Sequence, residues 1–278
     1  MILFDRRPTL ASWPKRIYAW PELPEPFHRA LAQWKAQGLP PGNVTYIPRV
    51  NQYANSPEFA TAWLGKQVLI QESRGGDLRC LQFRGAEAAL VDYYVQLLRC
   101  TVTISLDGDR SGQQCCFSYN KTKEDQLLPI LNLALGASAD HAPRLQHPDT
   151  PAMRKLLGDS YAMYNLSKLC YRFGEEIQDF LWLVGRNRGL ARLNRSRPES
   201  FIARTERGLV WLQKDFYGTR MLTVPWDRRP RFEIEAAGGR LALCLRASFG
   251  DVSRWELPPE HRARAEAFLS ALPGDMDH

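Results

Sequence analysis

The chain has no long apolar run. The longest, at about 180–184, falls far short of the roughly 18 residues that a membrane-crossing helix needs. The N-terminal MILFDRR puts charges where a signal peptide would carry its apolar stretch, so a cytoplasmic location is expected, with peripheral attachment to a membrane surface as the alternative. Cysteine is sparse: Cys80, Cys100, Cys115, Cys116, Cys170 and Cys244, with no C-x-x-C pair. That spacing speaks against a zinc site or a disulfide framework and for small buried hydrophobes. Cys115 and Cys116 are neighbours in an expected strand, so one should pack inward and the other outward.

Catalytic signatures are missing as well. There is no G-x-G-x-x-G after a strand, no Walker loop, no H-E-x-x-H and no G-x-S-x-G. The five histidines, His28, His141, His147, His261 and His278, have no cysteine or carboxylate at metal-ligand spacing and are expected to be solvated. The acidic pairs Asp107/Asp109 and Glu175/Glu176 fall at turns or element starts, where capping and turn chemistry explain them. No catalytic residue, metal or cofactor is expected, and an enzyme whose site assembles from distant residues is the residual alternative. Charge of one sign is not in large excess either. Residues 1–140 carry 15 basic and 13 acidic side chains and residues 141–278 carry 22 and 17, or +2 and +5 of the net +7. This is compatible with an anionic partner without demanding one.

What the chain does have is strand pattern and four helical stretches. Pro26 suits a first helical position, Phe27, Ala30, Leu31 and Trp34 form a stripe, and Gly38 stops it. Strand-like runs follow at 67–71, 78–83, 89–98, 99–106 and 114–119, separated by Gly- and Asp-rich turns such as SRGGD and DGDRSG. The stretch 40–57 reads as irregular. Next comes a helix with Leu127, Ile130, Leu131 and Ala134 on one stripe, with Thr122 as its expected cap. Pro129 should hold the helix start close to itself or kink the first turns. GASADHAPRLQHPDTP, 136–151, has no apolar period and reads as a connector. Beyond it lie one long helix at 153–173, strand-like runs at 177–184, 200–204, 209–213, 220–224, 231–235, 241–246 and 252–257, and a last helix from Pro259 with Ala265, Phe268, Leu269 and Leu272 on its stripe.

The halves show a faint repeat. VLIQESRGGDLRCL from Val68 matches VWLQKDFYGTRMLT from Val210 at an offset of 142, with Gln71/Gln213 and Gly76/Gly218 also coincident. RCTVTISL from Arg99 and RLALCLRA from Arg240 are offset by 141. Each half then ends in a strand and an amphipathic helix, as if a curled antiparallel sheet were plugged at its open end.

A strand-rich region closed by F-x-Y-N (Phe117, Tyr119, Asn120) and a helix over 123–135 resembles bacterial pleckstrin-homology-like domains. With PFHRALAQWKAQGLPPGNVTYIP as an N-terminal arm and SFIARTERGLVWLQKD…GTRMLTVPW in a second unit, the chain also resembles bacterial proteins of unknown function that pair two such units. The resemblance spans about 26–272. It implies a mainly β, α+β protein of two tandem antiparallel sandwich or barrel units, each capped by its last helix. The expected layout is an N-terminal arm at 1–57 packing on the first unit, the first unit at 58–137, a linker at 138–151, and a helix plus second unit at 152–278. It implies no catalytic residues.

One cluster stands out. GRNRGLARLNRSRP, 185–198, carries Arg186, Arg188, Arg192, Arg195 and Arg197 and no acid. Guanidinium groups hold phosphates and carboxylates through paired hydrogen bonds, so this loop is the candidate anion-binding site. In eukaryotic pleckstrin-homology domains the corresponding loop often holds a phosphoinositide head group. The plain alternative is a solvated basic connector. Aromatics and basics also interleave in RTERGLVWLQKDFYGTR, which could suit single-stranded nucleic acid, although core packing explains the run as well. The expected partner is therefore a protein or an anionic ligand, with nucleic acid as the second possibility.

Overall fold

The structure is a computed structural model that describes residues 11–50, 56–106, 113–173, 176–186, 197–237 and 239–272. It is mainly β with antiparallel sheets and short helices, and no described helix is long and apolar enough to cross a membrane. The chain divides into two compact units between His141 and Ala142, inside the stretch read as a linker. That stretch is anchored near both ends: the Asn132 amide donates to the Ala139 and His141 carbonyls at 3.3 and 2.9 Å, and His147 bonds to Tyr164 and Tyr171.

In the first unit β1 (Lys15–Arg16), β2 (Val44–Ile47), β3 (Glu58–Leu64), β4 (Gln67–Arg74) and β5 (Asp77–Arg84) form an antiparallel sheet in chain order. A three-stranded meander follows, β6 (Ala88–Gln96), β7 (Arg99–Leu106) and β8 (Gln114–Asn120). Each face of β3 has its own partner. Ala60 and Ala62, with Leu69 of β4, pack against Phe27, Leu31 and Trp34, of which the last two lie on α1 (His28–Ala36). On the other face Phe59 meets Phe117 of β8, ring centroids 6.0 Å apart. Alanine is a poor strand former, but its small side chain lets the helix approach the sheet closely. In β8 the side chains alternate as expected: Cys115 is buried and Cys116 exposed. Burial pushes the Cys115 thiol up to about 12.

The helix that closes this unit starts later than its sequence suggests. Asn120, not Thr122, supplies the cap: its side-chain oxygen Oδ1 accepts the Thr122 N–H at 3.1 Å and opens a 3-10 turn, Lys121–Gln126. The α-helix proper, α2 (Leu128–Ala134), has Pro129 in its first turn, where no N–H is needed. It packs on β3 and β4 and buries Ile130, Leu131 and Leu133. The Leu133 carbonyl also accepts the Ala86 N–H at 3.2 Å in the β5–β6 turn.

The second unit opens with helix, but not with one long one. Ser160 leaves the helical region at φ −151°, ψ 91°, and splits the segment into α3 (Pro151–Asp159) and α4 (Tyr161–Leu166), followed by a 3-10 turn, Ser167–Phe173. The Ser160 hydroxyl accepts the Met163 N–H and so caps the second piece. A four-stranded meander follows, β9 (Asp179–Val184), β10 (Glu199–Arg204), β11 (Gly208–Lys214) and β12 (Thr219–Pro225), then a three-stranded sheet, β13 (Arg231–Ala237), β14 (Arg240–Ala247) and β15 (Gly250–Leu257). Trp211 meets Phe232 edge to face at 5.1 Å, and Gln213 donates to Ser253, so one face of the meander covers the three-stranded sheet. Val210, Trp211 and Leu212 are all fully buried, so the aromatic run of β11 is core on both faces. The last helix, α5 (Arg262–Ser270), packs on β9 and buries Ala265 and Phe268.

The units share an order of elements: four strands (β2–β5, β9–β12), three strands (β6–β8, β13–β15), one closing helix. The repeat seen in the sequence falls on equivalent strands. Val68 and Val210 lie on β4 and β11, and Arg99 and Arg240 open β7 and β14.

Candidate anion-binding end of the second unit

The register of the meander gathers three features at one end. Val184 pairs with Glu199, Glu199 with Lys214 and Lys214 with Thr219. The β9–β10 connection, which carries the arginine run, and the tip of the β11–β12 hairpin therefore leave the meander on the same side. Of the five candidate arginines the structure places Arg186 and Arg197; Arg188, Arg192 and Arg195 lie outside the described residues.

Arg186 and Arg197 line a cleft of about 530 Å³ with Val184, Gly185, Glu260 and His261. Gly185 is required by its packing: a Cβ there would stand 2.8 Å from the Pro198 ring and 3.1 Å from Trp255. The Gly185 N–H donates to the Pro198 carbonyl at 2.7 Å and closes the mouth of the connection. The Arg186 fork is occupied. Its Nη2 donates to both oxygens of Glu260 at 2.9 Å, and its Nε donates to Oε1 at 3.2 Å. The backbone N–H of Glu260 and the guanidinium together hold that carboxyl below the usual range. The His261 ring donates from Nε2 to the Val184 carbonyl at 3.1 Å and ties the start of the last helix to β9. Arg197 is exposed, with no partner among the described residues.

Next to this cleft is a carboxylate of a different kind. Glu199 is buried and accepts three hydrogen bonds: from the Ser160 hydroxyl at 2.7 Å, the Trp182 indole at 2.9 Å and the Lys214 ammonium at 2.9 Å. Burial alone would push its pKa up, but these donors outweigh it and hold the group below its ordinary value. Beyond Lys214 the hairpin tip presents Phe216 and Tyr217, each 67 % exposed, with ring centroids 5.3 Å apart. The Asp215 carboxylate accepts the N–H groups of Tyr217 and Gly218 at 2.7 and 2.8 Å, so the rings stand on a fixed turn. In the sequence this aromatic stretch is continuous, and nothing in it separates the exposed pair from the buried strand. Glu260 lies 74 residues from Arg186, so no local pattern joins the two.

Two other polar clusters have closed chemistry. His147 corrects the expectation of solvated histidines. Its Nε2 lies 2.7 Å from the Tyr164 carbonyl, which can only accept, so that nitrogen carries the proton and Nδ1 accepts the Tyr171 hydroxyl at 2.8 Å. Ser167 Oγ is 2.9 Å from the same Nε2, yet it is fully buried and finds no free base there. In the first unit Tyr93 donates to both oxygens of buried Glu124 at 3.0 and 3.1 Å, and Lys121 pairs with Glu124 and with the Tyr93 hydroxyl. This contact locks the strand-to-helix junction after F-x-Y-N. Among the described residues no group of His, Cys, Asp and Glu could hold a metal ion.

No protein-family model, curated protein or solved structure matches this chain. The resemblance to pleckstrin-homology-like domains thus rests on the order of its elements and on the few residues quoted for it.

Proposed function

We propose that this chain is a non-catalytic interaction protein of two pleckstrin-homology-like units in tandem, and that its second unit binds an anionic group at the loop end of β9–β12. The repeated order of four strands, three strands and helix supports the tandem reading. The observation that carries the site is the arginine pair in the cleft. Arg197 is unpartnered among the described residues, and Arg186 already grips a carboxylate through the bonds it would offer a phosphate. A protein bearing an acidic or phosphorylated group, or an anionic membrane surface, has the chemistry to enter there. Single-stranded nucleic acid is the second reading, favoured by the exposed Phe216–Tyr217 pair, on which bases could stack.

The test compares wild type with Arg186→Gln/Arg197→Gln and with Phe216→Ser/Tyr217→Ser. Binding to anionic liposomes and to a single-stranded oligonucleotide is measured at low and physiological salt. An anion site predicts salt-sensitive binding that the arginine change weakens on the order of tenfold or more without lowering Tm. Nucleic-acid binding predicts that the aromatic change weakens the oligonucleotide complex instead. Equal binding by wild type and the arginine variant would remove the site.

A further inference from the structure

One hairpin of the first unit ends in two leucines. β6 and β7 pair as far as Gln96 opposite Arg99, leaving Leu97 and Leu98 as a two-residue turn. Leu97 is 69 % exposed and Leu98 43 %. Leu97 also stands at φ 51°, in the left-handed region where a leucine is strained and glycine is not. Turns of this length favour Gly, Asn and Asp. Leucine at both positions therefore gives the fold neither an easy backbone nor a buried side chain.

The surroundings of the turn are ordered by depth. Directly below the apex, Arg99 is exposed and pairs across the ladder with Asn120. The next amide, Lys121 N–H, donates to the Leu98 carbonyl at 2.7 Å, and Asn120 N–H donates to the Ser12 carbonyl at 2.7 Å. This second bond brings Trp13 to the same level, where it is 54 % exposed with the Lys123 ammonium 5.9 Å from its ring centre. Lys121 and Glu124 neutralise each other. The cations that these contacts place beside the apex and Trp13 are Arg99 and Lys123. The order is an apolar apex, then a tryptophan among cations. It matches the order of layers met on entering a membrane from water in reverse: acyl boundary at the apex, headgroups at the tryptophan and cations.

We propose that this end of the first unit inserts into the interface of an anionic lipid surface. Leu97 and Leu98 enter the acyl boundary, Trp13 sits among the headgroups, and Arg99 and Lys123 face lipid phosphates. This does not depend on the anion site of the second unit.

The turn itself supplies a test that separates binding from folding. Leu97→Gly with Leu98→Ser removes the apolar apex and places a glycine at the positive φ. Wild type and variant are compared by co-sedimentation with vesicles of phosphatidylcholine alone and of three parts phosphatidylcholine to one of phosphatidylglycerol. Wild type should partition onto the mixed vesicles. The variant should lose about tenfold or more of that partition while its Tm is equal or higher. The same drop should appear in an Arg186→Gln/Arg197→Gln background, which assigns it to the first unit. Unchanged partition of the leucine variant would overturn the proposal. So would wild type that binds neither vesicle, which would leave an apolar groove of a protein as the destination of the leucines.

Discussion

Gly208→Ala adds one methyl group where the structure has no room for it. Gly208 opens β11 opposite Pro225 of β12, and a Cβ there would lie 2.3 Å from the Val224 carbonyl oxygen and 2.8 Å from the Pro225 Cα. Both obstacles are backbone atoms, so no side chain can turn away. Relief needs a shift of about 1 Å between the strands, against normal carbon–oxygen contact distances. The shift acts on a tight corner: Thr205 N–H donates to the Gly208 carbonyl at 3.0 Å, Gly208 N–H donates to the Thr205 hydroxyl at 3.2 Å, and the Trp226 indole donates to the Thr205 carbonyl at 2.8 Å. Overpacking costs about 1–3 kcal/mol and each weakened hydrogen bond about 1 kcal/mol. The expected loss is about 2–4 kcal/mol, or roughly 6–15 °C in Tm. Gly158→Ala is the internal control. It sits in α3 with nothing within 4 Å of the added atom, so the same substitution should stabilise by about 0.5–1 kcal/mol through helix propensity. Thermal and urea unfolding of both variants gives the comparison. A Gly208→Ala protein that melts with wild type, or two variants that shift in the same direction, would refute the reasoning.

Burial lowers the pKa of His147, and the charges of Lys168 and Arg144 lower it further, against a raising contribution from the Tyr164 carbonyl. Its folded pKa therefore lies below the unfolded value of about 6.5. The stability this adds is fully present above that value and is lost as pH falls from there through the folded pKa. Tm measured from pH 8 down to pH 5 should decline in wild type and decline less in His147→Gln, and parallel curves would show that His147 is not the group. Leu131→Ala and Phe268→Ala, each buried mid-helix, should cost about 2–5 kcal/mol in chemical denaturation, whereas exposed Arg264→Ala should leave the midpoint in place; equal small effects would mean that α2 and α5 do not close their units.

How legible these features are in the sequence depends on how local their causes are. β4 to β8 and β9 to β15 carry β-branched or aromatic residues between Gly, Asp and Pro turns, and all lie close to where the pattern puts them. β3 escapes because EFATAWL has alanine at 60 and 62, small for the sake of α1, which packs on them from a distant part of the chain. β2 escapes because it is four residues long and lies among prolines. The break at Ser160 is hidden by an apolar period that runs through it; only its bonds to Met163 and Glu199 reveal a cap. In the candidate site the arginine run is plain in the sequence, but the neutralisation of Arg186 by Glu260 is not, since it needs the last helix to return to β9. His147 looks solvated for a similar reason: its environment comes from a turn some twenty residues later.

Glu199 has a mechanical consequence. Through one carboxylate, Lys214 at the root of the hairpin is linked to Ser160, whose hydroxyl also holds the first turn of α4. A pull on the hairpin tip is thus carried by short polar links, as well as by strand pairing, to the corner between α3 and α4. Protonation of the carboxylate would weaken the Lys214 link and leave the strand pairing in place.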